Sequence, residues 1–157
     1  YEFAPENQLW SEIVPGLYVG GTSDTATMNL RGYDTELRRG IFDTVVTLYA
    51  AANPVDWYVK EIRFGFYDGD TVDVDREDLR QIVRAAYDDL LRQKRVLVRC
   101  QAGLNRSGLV AALILIRHGF SAVEAIELIR AKRSSNALFN AGFTKWLRDQ
   151  DPEFWRA

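Results

Sequence analysis

Between Val96 and His118 the chain reads VLVRCQAGLNRSGLVAALILIRH. A short β-branched apolar run leads into a loop holding one glycine, then into a helical stretch whose apolar residues occupy every face. A strand of this kind expects cover on both sides, and a helix of this kind expects cover on most sides. Both conditions are met together inside a layered domain in which a strand feeds a helix that packs back on its own sheet. The apolar core of the helix, Leu109 to Ile116, is eight residues long. That is far below the roughly 20 residues a bilayer-spanning helix needs.

The rest of the chain repeats the alternation. Leu17–Val19 reads as a short strand after the Pro15-Gly16 turn, Phe42–Tyr49 as a buried strand, and Ile62–Phe66 as another. Asp34–Arg39 reads as a helical turn closed by Gly40. From Asp75 to Gln93, apolar residues at Leu79, Ile82, Val83, Ala86, Leu90 and Leu91 fall three and four apart, which predicts an amphipathic helix. Val96–Val98 is a strand, Arg106–His118 a helix stopped by Gly119, and Ser121–Glu124 a capping box opening a helix to about Arg133. A last helix starts at Phe143–Arg148. The predicted fold class is α/β, a mostly parallel central sheet flanked by helices, in one domain over residues 1–157.

Composition removes several chemistries. Cys100 is the only cysteine and His118 the only histidine. An internal disulfide, a cysteine-rich zinc site and a histidine pair are therefore excluded, and neither metal nor cofactor is expected. The net charge of −2 argues against a strongly basic nucleic-acid binder. That near-neutral sum hides an asymmetry. Residues 1–78 hold 15 acidic against 6 basic side chains, and residues 79–157 hold 7 acidic against 14 basic. One face can thus be locally positive. No basic stretch followed by an apolar run opens the chain, so a cytoplasmic location is expected.

Cys100 falls between the strand and the buried helix. The C-terminal end of a strand meeting a helix N-terminus is suited to anions, because free N–H groups and the helix dipole point at it. Gln101, Ala102, Gly103, Leu104, Asn105 and Arg106 would line the phosphate site. Gly103 permits a tight turn, and the Arg106 guanidinium can take two phosphate oxygens. The same field favours a thiolate, which is a competent nucleophile toward phosphorus.

Cys100-x5-Arg106-Ser107-Gly108 resembles the signature loop of cysteine-based protein phosphatases, specifically the dual-specificity class of the protein tyrosine phosphatase superfamily. Ile13–Gly20 and Phe42–Leu48 resemble that family's opening and core strands. Ala125–Phe143, with Arg133, Asn140 and Phe143, resembles its C-terminal helical region. The low-molecular-weight phosphatases carry their Cys-x5-Arg near the N-terminus and fit poorly. The resemblance implies a protein tyrosine phosphatase-like fold, a phosphorylated protein as partner, and a phosphocysteine intermediate on Cys100. It implies that Arg106 binds the equatorial oxygens and that Ser107 hydrogen-bonds the thiolate. The general acid would be Asp68, which lies 32 residues before Cys100, with Asp70 and Asp73 as rivals. Asn140 would brace the loop or cap a helix.

One position departs from the family. The residue before the cysteine is usually His, and here it is Arg99. Arginine supplies permanent charge and donors but is larger. A weakly active or inactive phosphate-binding module is therefore an alternative, as is a phosphatase of RNA 5′ ends, suggested by Asn105-Arg106, or of phosphoinositides. The uncharged Gln101, Ala102 and Leu104 weigh against phosphoinositides. The aromatic ends (Tyr1, Phe3, Trp10, Phe154, Trp155) could pack on the domain or on a partner.

Overall fold

The computed structural model describes residues 9–22, 37, 40–55 and 58–157. Five strands form one sheet: β1 (Trp10–Val14), β2 (Leu17–Gly20), β3 (Thr44–Thr47), β4 (Lys60–Arg63) and β5 (Val96–Arg99). Their spatial order is β1-β2-β5-β3-β4. β1 runs antiparallel to β2, and every other pairing is parallel. The helices are α1 (Arg76–Leu91), α2 (Arg106–His118), α3 (Ala122–Lys132), α4 (Ala141–Asp149) and α5 (Pro152–Arg156).

Several predicted ends fall where the capping chemistry places them. Asp75 accepts hydrogen bonds from the Glu77 and Asp78 N–H groups at the start of α1. Ser121 and Glu124 close the capping box of α3, and Gly119 ends α2. Three expectations change. β1 is an additional strand, joined to β2 through Pro15-Gly16. β4 begins at Lys60 and ends at Arg63, so Phe64–Phe66 lies beyond the strand rather than in it. The last helix starts at Ala141 and is followed by the short α5. The Asp34–Arg39 turn lies, apart from Leu37, outside the described residues.

β5 is central and entirely buried, as a parallel strand covered on both faces must be. Val96, Val98 and Cys100 face one core, shared with Leu17, Val19, Val46 and α2. Leu97 faces a smaller core with Phe42, Val45, Val55 and Val59 on the other side of the sheet. In α2, Ser107 through Ile116 are all buried, so this helix is the spine on which α1, α3, α4 and α5 pack. Each fully buried Leu or Ile contributes on the order of 1.5–3 kcal/mol. Trp10 and the C-terminal aromatics pack on the domain. Trp10 meets Phe42 edge-on at 5.2 Å, and Trp155 is fully buried against Trp146 and Phe154. Tyr1 and Phe3 lie outside the described residues. Among the described residues, no helix is long and apolar enough to cross a membrane.

A buried carboxylate ties α1 to the sheet. Asp89 accepts hydrogen bonds from Thr44 Oγ1 at 2.8 Å and Lys60 Nζ at 2.9 Å. Burial pushes its pKa up, but the hydrogen bonds from Lys60 and Thr44, with the charges of Lys60 and Arg92, win and hold it below the ordinary 3.8. Its stabilisation is therefore present above that ordinary value and is lost as pH falls through the lower, folded-state value. Asp89→Asn is expected to cost about 1–3 kcal/mol at neutral pH. In denaturant melts, the gap to the native chain should narrow below about pH 4. A gap that widens on acidification would contradict this account.

Candidate active site

The C-terminal ends of β3, β4 and β5 release three loops to the same edge of the sheet, where ligands of open parallel sheets gather. The central loop, residues 100–105, is held from outside by its carbonyl groups. Gln101 O accepts from Thr22 N–H at 3.0 Å. Ala102 O and Gly103 O accept from Arg133 Nη2 and Nε at 3.3 and 3.0 Å. Leu104 O accepts from Leu138 N–H at 3.0 Å, and Asn105 O accepts from Leu109 N–H at 2.8 Å.

Five successive carbonyls are thus engaged. In a planar trans peptide the N–H points opposite to the C=O. The N–H groups of Ala102 through Arg106 are accordingly turned away from these anchors, and among the described residues none donates to a protein acceptor. A row of such N–H groups is an anion cradle. Cys100 Sγ sits with it, buried, with Ser107 N–H directed at it from 3.4 Å and Ser107 Oγ at 3.3 Å.

Arg133 is 2% exposed and lies close enough to Cys100 for their charges to interact. Burial draws its pKa below the ordinary guanidinium value, and the charge interaction with Cys100 partly opposes that. A guanidinium remains charged under such a shift. The loop therefore rests on a buried cation, which donates to its carbonyls and interacts electrostatically with Cys100. The sequence pointed to Arg133 through the family resemblance without giving it this work.

Arg106 opens α2. Its Nη1 donates to Phe66 O at 3.1 Å, and its guanidinium lies 5.6 Å from the centre of the Tyr49 ring. Its buried Nε has no partner among the described residues. A buried donor in this state is suited to an anionic acceptor.

Asp68 is brought to the loop, as expected. Its Oδ2 accepts from Asn105 Nδ2 at 2.9 Å and its Oδ1 from Asn140 Nδ2 at 2.7 Å. Both amides are fixed in orientation. Asn105 Oδ1 accepts from Asn140 N–H, and Asn140 Oδ1 accepts from Phe143 N–H. Of the two expectations for Asn140, its side chain meets the helix cap of α4 but braces the Asp68 loop rather than the cysteine loop, which Asn140 reaches through its backbone N–H on Asn105. Asn105, placed by the sequence only among the phosphate-binding residues, is the link between the two loops. Asp70 contributes through its backbone: a side chain at Gly142 would collide with the Asp70 carbonyl. Asp73 lines a neighbouring cleft with Phe64, Phe66 and Tyr67, whose lining includes neither Asn105 nor Asn140.

Arg99 departs from expectation. It is fully buried, but it faces the sheet surface opposite Cys100. There Nε donates to Thr47 Oγ1 at 3.0 Å and Nη2 to Asn53 O at 3.0 Å, with Glu61 Oε2 at 3.4 Å. Its charge is met by Glu61 and is not directed at the thiol.

Gly103 has φ +74°, and a Cβ there would lie 2.5 Å from Gly20 C and 2.6 Å from Gly21 N. Gly103→Ala is expected to cost about 2 kcal/mol or more by overpacking and backbone strain. It should also weaken inorganic phosphate binding, read by competition with an aryl phosphate. Unchanged stability together with unchanged anion affinity would contradict the cradle geometry.

Residues 58–152 match the family profile described as dual specificity phosphatase, catalytic domain. Protein 123R of Invertebrate iridescent virus 6, which carries the name of a tyrosine phosphatase, is 27% identical over 139 residues, spanning 87% of this chain and 88% of the viral one. Among solved structures, the fold is similar to DUSP15 (TM-score 0.75, 20% identity, 94% of this chain and 92% of that one). It is similar also to human DUSP28 (TM-score 0.71, 22% identity, 90% and 91%). The matched segment includes β4, β5, the cysteine loop and all of α1 to α4, and the remaining strands complete the same sheet. The chain therefore belongs to the dual specificity phosphatase family and is a cysteine-dependent phosphatase of that class.

Proposed function

We propose that this chain, as a single catalytic domain over residues 1–157, removes phosphate from phosphotyrosine in proteins, and from phosphoserine or phosphothreonine as poorer substrates, through a phosphocysteine. The observation that carries the reading is the row of N–H groups from Ala102 to Arg106 turned away from anchored carbonyls, with the Cys100 thiol beside it. These donors match the three equatorial oxygens of a phosphoryl group, whose charge builds as the bond to the leaving oxygen stretches. Arg106 adds a permanent charge there.

In the first step the Cys100 thiolate forms the S–P bond as the P–O ester bond breaks. The electron pair leaves on the ester oxygen, which takes a proton from the Asp68 carboxyl. In the second step water attacks phosphorus and gives its proton to Asp68, the S–P bond breaks, and the pair returns to sulfur. Ser107 N–H and Oγ stabilise the returning thiolate. Both Asp68 oxygens accept from fixed amides, which hold the carboxyl in place.

The mouth supports a protein substrate over RNA 5′ ends or phosphoinositides. Among the described residues, Arg106 is the one cation lining the clefts that include Asp68 or Arg106, and polyanionic ligands call for several. A reactive thiol without a disulfide partner suits the reducing cytoplasm.

Hydrolysis of an aryl phosphate by the native chain, abolished in Cys100→Ser, is the expected outcome. Absence of native turnover with retained phosphopeptide binding would instead favour a phosphate-reading module. Asp68→Asn should lower kcat by about 10²-fold or more on poor leaving groups and much less on good ones. Equal losses across leaving groups would assign the acid elsewhere. Preferential hydrolysis of RNA 5′-triphosphate or a phosphoinositide would overturn the protein substrate.

A further inference from the structure

Arg99 stands out because its charge is engaged away from the reacting thiol. Following its partners leads to the wall of the site. Glu61 Oε2 is shared by three donors: Thr47 Oγ1 at 2.7 Å, Arg63 Nη1 at 3.1 Å and Arg99 Nη2 at 3.4 Å. The two guanidiniums then reach the same loop. Arg99 Nη2 donates to Asn53 O at 3.0 Å. Arg63 Nη2 donates to Ala52 O at 2.7 Å and Ala50 O at 3.3 Å. Residues 50–53 are thus clasped to β4 and β5 by charge-assisted bonds, which are shorter and stronger than neutral ones.

That loop is one side of a cleft of about 380 Å³, whose lining includes Tyr49, Ala50, Ala51, Phe66, Tyr67 and Arg106. Its chemistry is aromatic and small apolar, with the phosphate-binding Arg106 as its one charged side chain. Arg106 bonds Phe66 O and lies 5.6 Å from the centre of the Tyr49 ring, so its guanidinium stands between the two walls. A flat aromatic group attached to a phosphate held at Arg106 fits such a lining, because ring faces and edges add to area burial.

We infer that Arg99, Glu61 and Arg63 are positioning residues that set the Tyr49–Ala51 wall of a cleft receiving the aromatic leaving group of a phosphate ester. The inference rests on the phosphatase reading of the Cys100 loop. It accounts for Arg99 standing where the family has His: here the residue builds the substrate wall on the other face of the sheet.

The test uses Arg63→Ala, since Arg63 is about one-third exposed and the variant is expected to fold. Two peptides of identical sequence are compared, one phosphotyrosyl and one phosphoseryl. KM for the phosphotyrosyl peptide should rise several-fold, with kcat within about twofold and the pH profile of kcat/KM unshifted, while KM for the phosphoseryl peptide rises far less. Equal KM changes for both peptides, a loss confined to kcat, or a shifted pH profile would overturn the wall. The same comparison as Kd on the Cys100→Ser background needs no turnover. A several-fold weakening there for phosphotyrosine alone supports the wall even where native hydrolysis is absent and the phosphatase reading fails. Unchanged Kd values overturn it. Glu61→Gln should reproduce the pattern, and a Glu61→Gln chain that folds yet binds phosphotyrosine normally would also contradict the clasp.

Discussion

The anchoring of five consecutive carbonyls, from Gln101 to Asn105, is the interaction on which the rest of this site depends. A loop left to itself would solvate its carbonyls and N–H groups alike. Here Thr22, Arg133, Leu138 and the first turn of α2 take the carbonyls, and peptide geometry aims the N–H groups the other way. Arg133 is central because it bonds two carbonyls while buried, and a buried guanidinium is tolerated only when its donors are matched. The close approach of Gly103 to Gly20 and Gly21 lets the loop settle onto the end of β2. Sheet, loop and helix therefore share one constraint, and the thiol inherits its surroundings from it.

The central strand divides the labour by its pleat. Cys100 shares a face with Val96 and Val98 and meets the N-terminus of α2. Arg99 lies on the opposite face with Leu97 and meets Glu61, Thr47 and the 50–53 loop. Adjacent residues at the C-terminal end of one strand thus face opposite sides of the sheet. The acidic side is joined on separately, through Asn105 and Asn140, which link the cysteine loop, the Asp68 loop and the start of α4. Substrate contact and proton transfer, as proposed, draw on loops that are cross-braced and not merely adjacent.

Local chemistry made much of this legible. Asp75, Ser121 and Gly119 mark helix ends through caps that need only neighbours in sequence. The strand-loop-helix pattern around Cys100 is itself the pattern of an anion loop. What was hidden depends on partners far along the chain. Leu138 and Thr22 contribute backbone groups, which carry no sequence signal. β1 carries little signal because Trp-Ser-Glu-Ile-Val mixes polar and apolar residues over five positions, and β4 lies two residues earlier than its apolar run suggests because Lys-Glu-Ile-Arg is an edge strand with polar ends. Arg99 is different: period-two alternation already separates it from Val98 and Cys100. Its placement could have been read from the strand alone, though its partner Glu61 could not.

The central claim is that the cradle serves a covalent phosphoryl transfer to Cys100. Rapid-quench mass spectrometry of the native chain mixed with an aryl phosphate tests it most directly. The account predicts a transient gain of one phosphoryl mass on the peptide containing Cys100, lengthened in lifetime by Asp68→Asn and absent in Cys100→Ala. Turnover at full rate with no phosphorylated cysteine, or with the label on another residue, would contradict it.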